Sequence, residues 1–328
     1  MKKKFNWGII GTGKIANVFA NDLTNLTDHA IAAVGSRAIS TANKFSSNFP
    51  GCSGYDNYSD LVSDPSIDGV YIATPNNLHV NHTLLALTAG KPVLCEKPFA
   101  LNQSEVQLMV DTATENKLTL FEAMWTRFLP HIAKVRKIIE SGIIGKIHTL
   151  QADHGQNLSN NKNPRIWELS LGGGALMDLG IYVVSFAHMV LGVPKKITAK
   201  STFTDKGVDT QTSVIFEYSN DAQAILNTTL NNITPSKAVI SGSKGFIEID
   251  SSFYRPTSMR VNLYGGDSIE YANDYEGHGI REQAIEFARC VKGGLIQSPM
   301  MLHSESIAVM KSMDEIRMQV GLHYPNES

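Results

Sequence analysis

The chain is 328 residues long, 42% hydrophobic and 18% charged, which allows a sizeable core and favours two domains over one. Its formal charge of -2 and the lack of a Lys/Arg-dense face, beyond the short run Lys2, Lys3 and Lys4, argue against nucleic acid as a partner. Cys52, Cys95 and Cys290 are too few and too widely spaced for a disulfide framework or a Cys-based zinc site.

No apolar stretch reads as the roughly 18 residues of a membrane span, and the chain enters a strand-like run where a signal-peptide core would stand. A cytoplasmic protein without a membrane partner is the expectation. Up to residue 123, short Val/Ile/Leu runs at 5–10, 31–34, 69–73, 92–95 and 118–121 alternate with helix-length segments. That rhythm predicts a parallel sheet with crossover helices, a dinucleotide-binding domain over 1–123.

The first run leads into G-I-I-G-T-G-K-I-A. Gly11, Gly13 and Ala16 form G-x-G-x-x-A between a strand and a helix, where Gly11, Thr12, Gly13, Lys14, Ile15 and Ala16 would wrap a dinucleotide diphosphate. The second strand ends in V-G-S-R. An acidic residue there would bind the ribose 2'-hydroxyl, but Ser36 and Arg37 suit a 2'-phosphate, so NADP is expected over NAD, the alternative being a surface arginine. A helix is expected after Ser40, which would cap it, running to Phe49.

After the third run comes A-T-P-N-N-L-H, at the strand edge where ligands of open α/β sheets collect. Thr74, Pro75 and Asn76 are placed on the nicotinamide side. His79 is placed there too, or packed under the cofactor; with His82 it lacks the cysteine or carboxylate that would make a metal pair, and no metal is expected. The helix over 77–89 stops at Gly90. The next strand ends in Glu96, Lys97 and Pro98. A lysine at this edge can hold a substrate hydroxyl or stabilise a developing alkoxide, and Pro98 makes the preceding peptide a candidate for the cis form.

After residue 123 the rhythm changes. A helix is expected over 130–141, a polar, mobile loop over 157–164, a helix over 175–189, and period-2 runs at 195–204, 212–218, 222–230, 237–241, 246–250 and 259–264. These strands with short connections predict an antiparallel sheet, followed by helices over 278–292 and 302–320. The second domain is thus 124–328, with a last helix that can pack back on the first. Gly172, Gly173 and Gly174 open the helix that carries Asp178 and Tyr182 four residues apart, hence on one face. Arg165 and Trp167 follow the polar loop and are placed against the substrate.

Together G-I-I-G-T-G-K-I-A, Y-I-A-T-P-N-N-L-H, L-C-E-K-P-F-A-L-N, E-A-M-W-T-R-F-L-P and G-G-G-A-L-M-D-L-G-I-Y resemble the Gfo/Idh/MocA oxidoreductases, most of all their dimeric dihydrodiol dehydrogenase and NADP-dependent D-xylose dehydrogenase branch. The resemblance implies a Rossmann domain joined to an α/β domain with a large open, mainly antiparallel sheet whose outer face pairs subunits into a homodimer or higher homo-oligomer. It places the catalytic lysine on Lys97 and puts Glu96, Trp125 and Arg127 at the cofactor. Many relatives have histidine where this chain has Tyr182, and the dihydrodiol branch is similar to it in using tyrosine.

A phenol near pKa ~10 is a poor base at neutral pH, so the Lys97 ammonium would be needed to stabilise phenolate. Asp178 would orient the substrate or the tyrosine. The expected activity is NAD(P)-dependent hydride transfer at a secondary alcohol of a sugar, cyclitol or vicinal diol, with a small polyol as substrate. The alternatives are an NAD-dependent glycoside hydrolase of the same fold and a non-catalytic dinucleotide sensor.

Overall fold

The computed structural model describes residues 4–159 and 164–325, so residues 160–163 of the polar loop expected to be mobile lie outside the described residues. In chain order the first elements are β1 (Phe5–Ile10), α1 (Lys14–Leu26), β2 (His29–Gly35), α2 (Ile39–Ser46), β3 (Ser53–Tyr55), α3 (Tyr58–Ser63) and β4 (Gly69–Ile72). They continue with α4 (His79–Thr88), β5 (Val93–Glu96), α5 (Gln103–Glu115), β6 (Leu120–Ala123), α6 (Pro130–Glu140) and β7 (Ile147–Gly155). After α7 (Ile181–Leu191) come β8 (Lys196–Phe203), β9 (Asp209–Glu217), β10 (Gln223–Thr229), β11 (Ala238–Gly242), β12 (Gly245–Ile249), β13 (Met259–Leu263) and β14 (Ser268–Tyr271). Two helices follow, α8 (Arg281–Lys292) and α9 (His303–Val320).

The chain divides into two compact units. One comprises Met1–Ala100, Ser104–Trp125 and Gly277–Ser306; the other comprises Leu101–Gln103, Thr126–Glu276 and Ile307–Ser328. The division differs from a single cut at 123/124, because α8 clusters with the N-terminal unit while most of α9 does not. The reason is apolar: Phe287 of α8 places its ring 5.1 Å from Trp7, 5.3 Å from Phe121 and 6.2 Å from Phe5.

The first unit is a six-stranded parallel sheet in the order β3-β2-β1-β4-β5-β6. β4, β5 and β6 are buried along their whole length, as strands covered by helices on both faces must be. The three-residue edge strand β3 escapes a reading by hydrophobic runs because Ser53, Gly54 and Tyr55 carry none. α2 begins at Ile39 with Ala38 as its cap, two residues before the Ser40 expected to cap it.

The second unit is an eight-stranded sheet in the order β14-β13-β12-β11-β7-β10-β9-β8. The expected run of consecutive antiparallel strands is corrected at its centre: β7, absent from the sequence reading, lies between β11 and β10 and pairs with β10 in parallel. The polar positions of β7 explain the omission. Leu150, Ala152 and His154 are buried and alternate with more exposed Thr149, Gln151 and Asp153, so only every second residue carries a core signal.

The helical run Leu169–Leu191 has the length and hydropathy of a membrane span, contrary to the expectation that no stretch does. Its apolar window is 83% buried inside the protein, and α7 packs on β7 and β10, which makes it the core helix of this unit. The segment that leads directly into α7, Leu176–Gly180, is π-helical.

Candidate active site

In the first unit, Gly11 to Gly13 make the whole turn from β1 to α1. Gly11 has φ +111°, and an added Cβ would stand 2.6 Å from the Ala73 carbonyl oxygen, so a side chain is excluded there. At Gly13 a Cβ would meet nothing within 4 Å, which leaves open space over the helix terminus. Gly13 caps α1 without a side-chain hydrogen bond, and the first turn holds no carboxylate. Its main-chain N-H groups and positive dipole end are therefore offered to an anion.

The Asn17 amide braces the loop from below, donating to the Thr12 and Gly13 carbonyls at 3.2 and 2.9 Å. Lys14 is exposed and Ile15 half-buried, while Ala16 is fully buried where α1 meets the sheet. An open groove of about 470 Å³ passes Lys14, Asn17 and Asn21 to reach His278. A dinucleotide diphosphate fits this turn.

At the end of β2 the Ser36 N-H bonds the Tyr55 carbonyl at 3.0 Å and Arg37 is exposed. Burial pushes the Tyr58 phenol up, and the Arg37 charge beside it works in the opposite direction. The Thr74 hydroxyl lies 3.1 Å from His82 Nδ1, and Pro75 starts a tight turn in which Asn76 is buried. His79 is fully buried: its Nδ1 is 2.8 Å from the Pro98 carbonyl and its Nε2 3.0 Å from the Thr74 carbonyl. The imidazole thus ties the loop after β4 to the loop after β5. Of the two readings for His79, this geometry is that of a histidine packed beneath the ligand edge.

Glu96 is 5% exposed and accepts from the Tyr71 hydroxyl in a short hydrogen bond and from the Lys97 N-H at 3.3 Å. Tyr71 stacks on Phe19 at 3.9 Å, so Glu96 is anchored in the interior of the unit and Lys97 emerges half-buried after it. The Lys97-Pro98 peptide is cis. Trp125 lies 5.0 Å from the His278 ring. That ring is placed by Asp22 of α1, whose carboxylate takes the N-H groups of His278, Gly279 and Arg281 at 2.8, 3.1 and 3.0 Å. Nothing in the local sequence around Asp22 announces this brace.

In the second unit, Arg127 is 2% exposed and its Nε donates to Ser185 Oγ at 3.1 Å. Trp125 and Arg127, neighbours in the sequence reading, belong to different units. Asp178 is buried in the π turn and accepts from Arg165 Nη2 at 2.7 Å. Trp167 packs with Leu158 against buried Ile166, Ala175, Leu179 and Leu230, so its ring serves a hydrophobic cluster.

Tyr182 is 7% exposed, its ring 5.2 Å from His154 and 5.1 Å from Tyr254. His154 and Tyr254 stack on each other at 4.0 Å, and Gln156 Nε2 stands 3.0 Å from His154 Nε2. His154, Gln156 and Tyr254 were not read from the sequence. The signal for His154 existed: it is the third residue of the buried face of β7, where a polar side chain is out of place.

A second unread carboxylate, Asp209, is fully buried; burial pushes its carboxyl up to about 6, the Leu176 N-H and the Thr212 hydroxyl pull it down, and the Asp178 charge raises it further. His188 is held at about 4 by burial and by the Arg127 charge, and its Nε2 lies 3.0 Å from Ser312 Oγ. Among the described residues no group of three or more His, Cys, Asp or Glu is placed to hold a metal ion.

Residues 5–124 match the model of an oxidoreductase family with an NAD-binding Rossmann fold, and residues 132–248 match that of the Gfo/Idh/MocA C-terminal domain. The chain is 36% identical to the trans-1,2-dihydrobenzene-1,2-diol dehydrogenase of Xenopus tropicalis, over 97% of its own length and 99% of the relative's. The Homo sapiens enzyme of that name is 32% identical with 98% of each chain covered. Among solved structures, the aldose-aldose oxidoreductase of Caulobacter crescentus complexed with glycerol has a TM-score of 0.87 at 23% identity, covering 97% of this chain and 98% of that one. A 3-ketoreductase from Actinomadura kijaniata in complex with NADP and TDP-benzene has a TM-score of 0.86 at 23% identity over the same shares. At this identity the two structures establish the fold alone.

Proposed function

The chain belongs to the Gfo/Idh/MocA oxidoreductase family, and from that premise we propose that it is an NADP-dependent dehydrogenase acting on a secondary alcohol of a cyclic vicinal diol, a sugar or a cyclitol. The observation that carries the reading is Tyr182, a buried phenol on an apolar helix, with Asp178 four residues before it and the His154 and Tyr254 rings against it. Residues Gly11 to Ala16 would hold the cofactor diphosphate, Ser36 and Arg37 its 2'-phosphate, and Thr74 to Asn76 its nicotinamide half. When bound, the nicotinamide supplies the hydride acceptor or donor.

The protein's own residues manage the proton. Tyr182 takes it from the substrate hydroxyl in oxidation and returns it in reduction. Lys97, at the end of β5, is read as the second group that handles the hydroxyl proton. Asp178, held by Arg165, orients the hydroxyl that reacts. The aromatic wall of His154 and Tyr254 offers an apolar face to the ring of the substrate.

The partner is a small polyol, and a second copy of the chain would pair through the outer face of the eight-stranded sheet, where Ile215 and Ile225 face each other at 42% and 44% exposure. The same reading places the protein in the cytoplasm. Purified protein is titrated with NADP and NAD by fluorescence and then assayed for NADPH with trans-cyclohexane-1,2-diol, aldoses and inositols. Turnover of a ring diol or sugar supports the dehydrogenase. Tight NADP binding without turnover across the panel would favour a dinucleotide sensor.

A further inference from the structure

The π turn that carries Asp178 is held from one side by a carboxylate. Asp209, the first residue of β9, accepts the Leu176 N-H on Oδ2 at 2.7 Å and the Thr212 hydroxyl on the same oxygen at 3.2 Å. Its Oδ1 lies where Gly174, at φ +122°, has no side chain: a Cβ on Gly174 would overlap that oxygen. Thr228 of β10 lies against the same segment, its hydroxyl shared between the His154 carbonyl at 3.1 Å and the Ala175 carbonyl at 3.3 Å, and a Cβ on Gly180 would stand 3.2 Å from its methyl group. The glycines on either side of Asp178 are therefore matched to the strand residues beneath them.

This arrangement is costly. Asp209 is 0% exposed, and its Oδ1 has no hydrogen-bond partner among the described residues. A buried carboxylate oxygen without a donor is unfavourable, and the neighbouring Asp178 charge makes it more so. Asparagine would offer the same acceptor to the Leu176 N-H without the charge. A π turn likewise departs from α-helical hydrogen bonding and is frequent at functional sites. Two local costs on the same few residues point to a task shared by both.

We propose that Asp209 is a positioning residue of the hydride-transfer site: by holding the Leu176 N-H it fixes the start of the π turn, and so the directions in which Asp178 and Tyr182 leave the helix. The inference rests on the reading of Tyr182 and Asp178 as the groups that meet the substrate. Asp209 itself touches neither substrate nor cofactor. It acts through the backbone between Gly174 and Gly180.

The test uses the full chain with NADP, trans-cyclohexane-1,2-diol as probe, and the variants Asp209→Ala, Asp209→Ser, Asp209→Asn and Tyr182→Phe. Amide hydrogen exchange over residues 174–182 is followed by mass spectrometry, a readout that needs no substrate. Asp209→Ala should lower kcat at least about 30-fold, within the range for small misplacements of reacting groups, with NADP affinity unchanged and faster exchange in the segment. Asp209→Ser, whose hydroxyl is too short to reach Leu176 and which removes the buried charge, should do the same, and it stands in if the alanine variant does not fold.

Asp209→Asn keeps the acceptor and should restore protected exchange and kcat to within about fivefold of the parent. Unchanged exchange in both Asp209→Ala and Asp209→Ser overturns the proposal, as does an asparagine variant as slow as the alanine one. Normal turnover in Tyr182→Phe would sink the reading of the site instead. A slow Tyr182→Phe beside a fast Asp209→Ala would sink only the positioning role.

Discussion

Arg165 Nη2 donates to Asp178 Oδ1 at 2.7 Å, tying the short turn Pro164–Trp167 to the π turn that leads to Tyr182. The Arg165 side chain is 26% exposed and that of Asp178 only 7%, so the arginine partly screens the carboxylate from water. Removing it takes a hydrogen-bonded cation away from a buried carboxylate. Arg165→Ala should therefore lower stability by about 1–2 kcal/mol, a buried-pair loss discounted for the exposed side of the arginine, and raise KM for a diol or sugar more than it lowers kcat. Arg165→Lys should recover little, since an ammonium lacks the planar fork. Urea midpoints and steady-state kinetics read both effects, and an unchanged KM with an unchanged midpoint would show that the pair is ornamental to the site.

Tyr182→Phe removes one oxygen and keeps the ring packed against His154 and Tyr254. Turnover should fall at least roughly 100-fold, the lower range for loss of a general acid-base group, with NADP bound as before. Lys97→Met should reduce turnover in the same direction. Near-parental rates in the phenylalanine variant would leave the proton without a carrier and would move the chemistry elsewhere.

The parallel sheet was legible because each of its principal strands is apolar along its length, and the phosphate turn because Gly11 and Ala16 answer steric demands made within a few residues of themselves. The catalytic candidates Asp178 and Tyr182 were legible for a similar reason: polar groups on an apolar helix stand out. What escaped depends on pairing across the chain. β7 is half polar, and only its place between β10 and β11 makes it central. Asp209 begins a strand and reads as a strand end until Gly174, 35 positions earlier, is seen to leave room for it. Asp22 looks like a surface residue of α1, yet it takes three main-chain N-H groups from the start of α8. The place of Trp167 after a polar loop likewise gives no sign of the Ile166, Ala175, Leu179 and Leu230 cluster under it.

Arg37 is exposed at the tip of β2, with Ser36 before it and no carboxylate in Gly35-Ser36-Arg37-Ala38 to repel a phosphate. A guanidinium on a phosphate is worth about 1.5–3 kcal/mol, so Arg37→Ala should weaken NADP by roughly 10- to 100-fold. NAD, which has no 2'-phosphate, should bind the variant as well as the parent. Ser36→Asp should invert the preference by adding an acceptor for the ribose hydroxyls and repelling the phosphate. Fluorescence titrations of both cofactors on the three proteins decide the matter, and equal losses for NADP and NAD in Arg37→Ala would mean that the arginine supports the loop and not the phosphate.

Asp209 also predicts how stability depends on pH. Its carboxyl is raised by burial from an ordinary 3.8 to about 6, so the folded chain holds that proton more tightly than the unfolded chain does. The contribution is fully present below 3.8 and is lost as pH rises through about 6. At 1.36 kcal/mol for each tenfold change in proton affinity, the loss amounts to about 3 kcal/mol between acid and neutral solution. Asparagine does not titrate, so the stability of Asp209→Asn relative to the parent should climb between about pH 4 and pH 7 and then level off. Carboxylates remote from Asp209 titrate in the same range, but they are common to both proteins and cancel in the difference. Urea unfolding of the pair across that range measures it directly. A flat difference would mean that Asp209 titrates as an ordinary surface carboxylate; a climbing one, together with slow turnover in Asp209→Ala, would mean that the π turn is held at the expense of stability for the sake of the groups it aims.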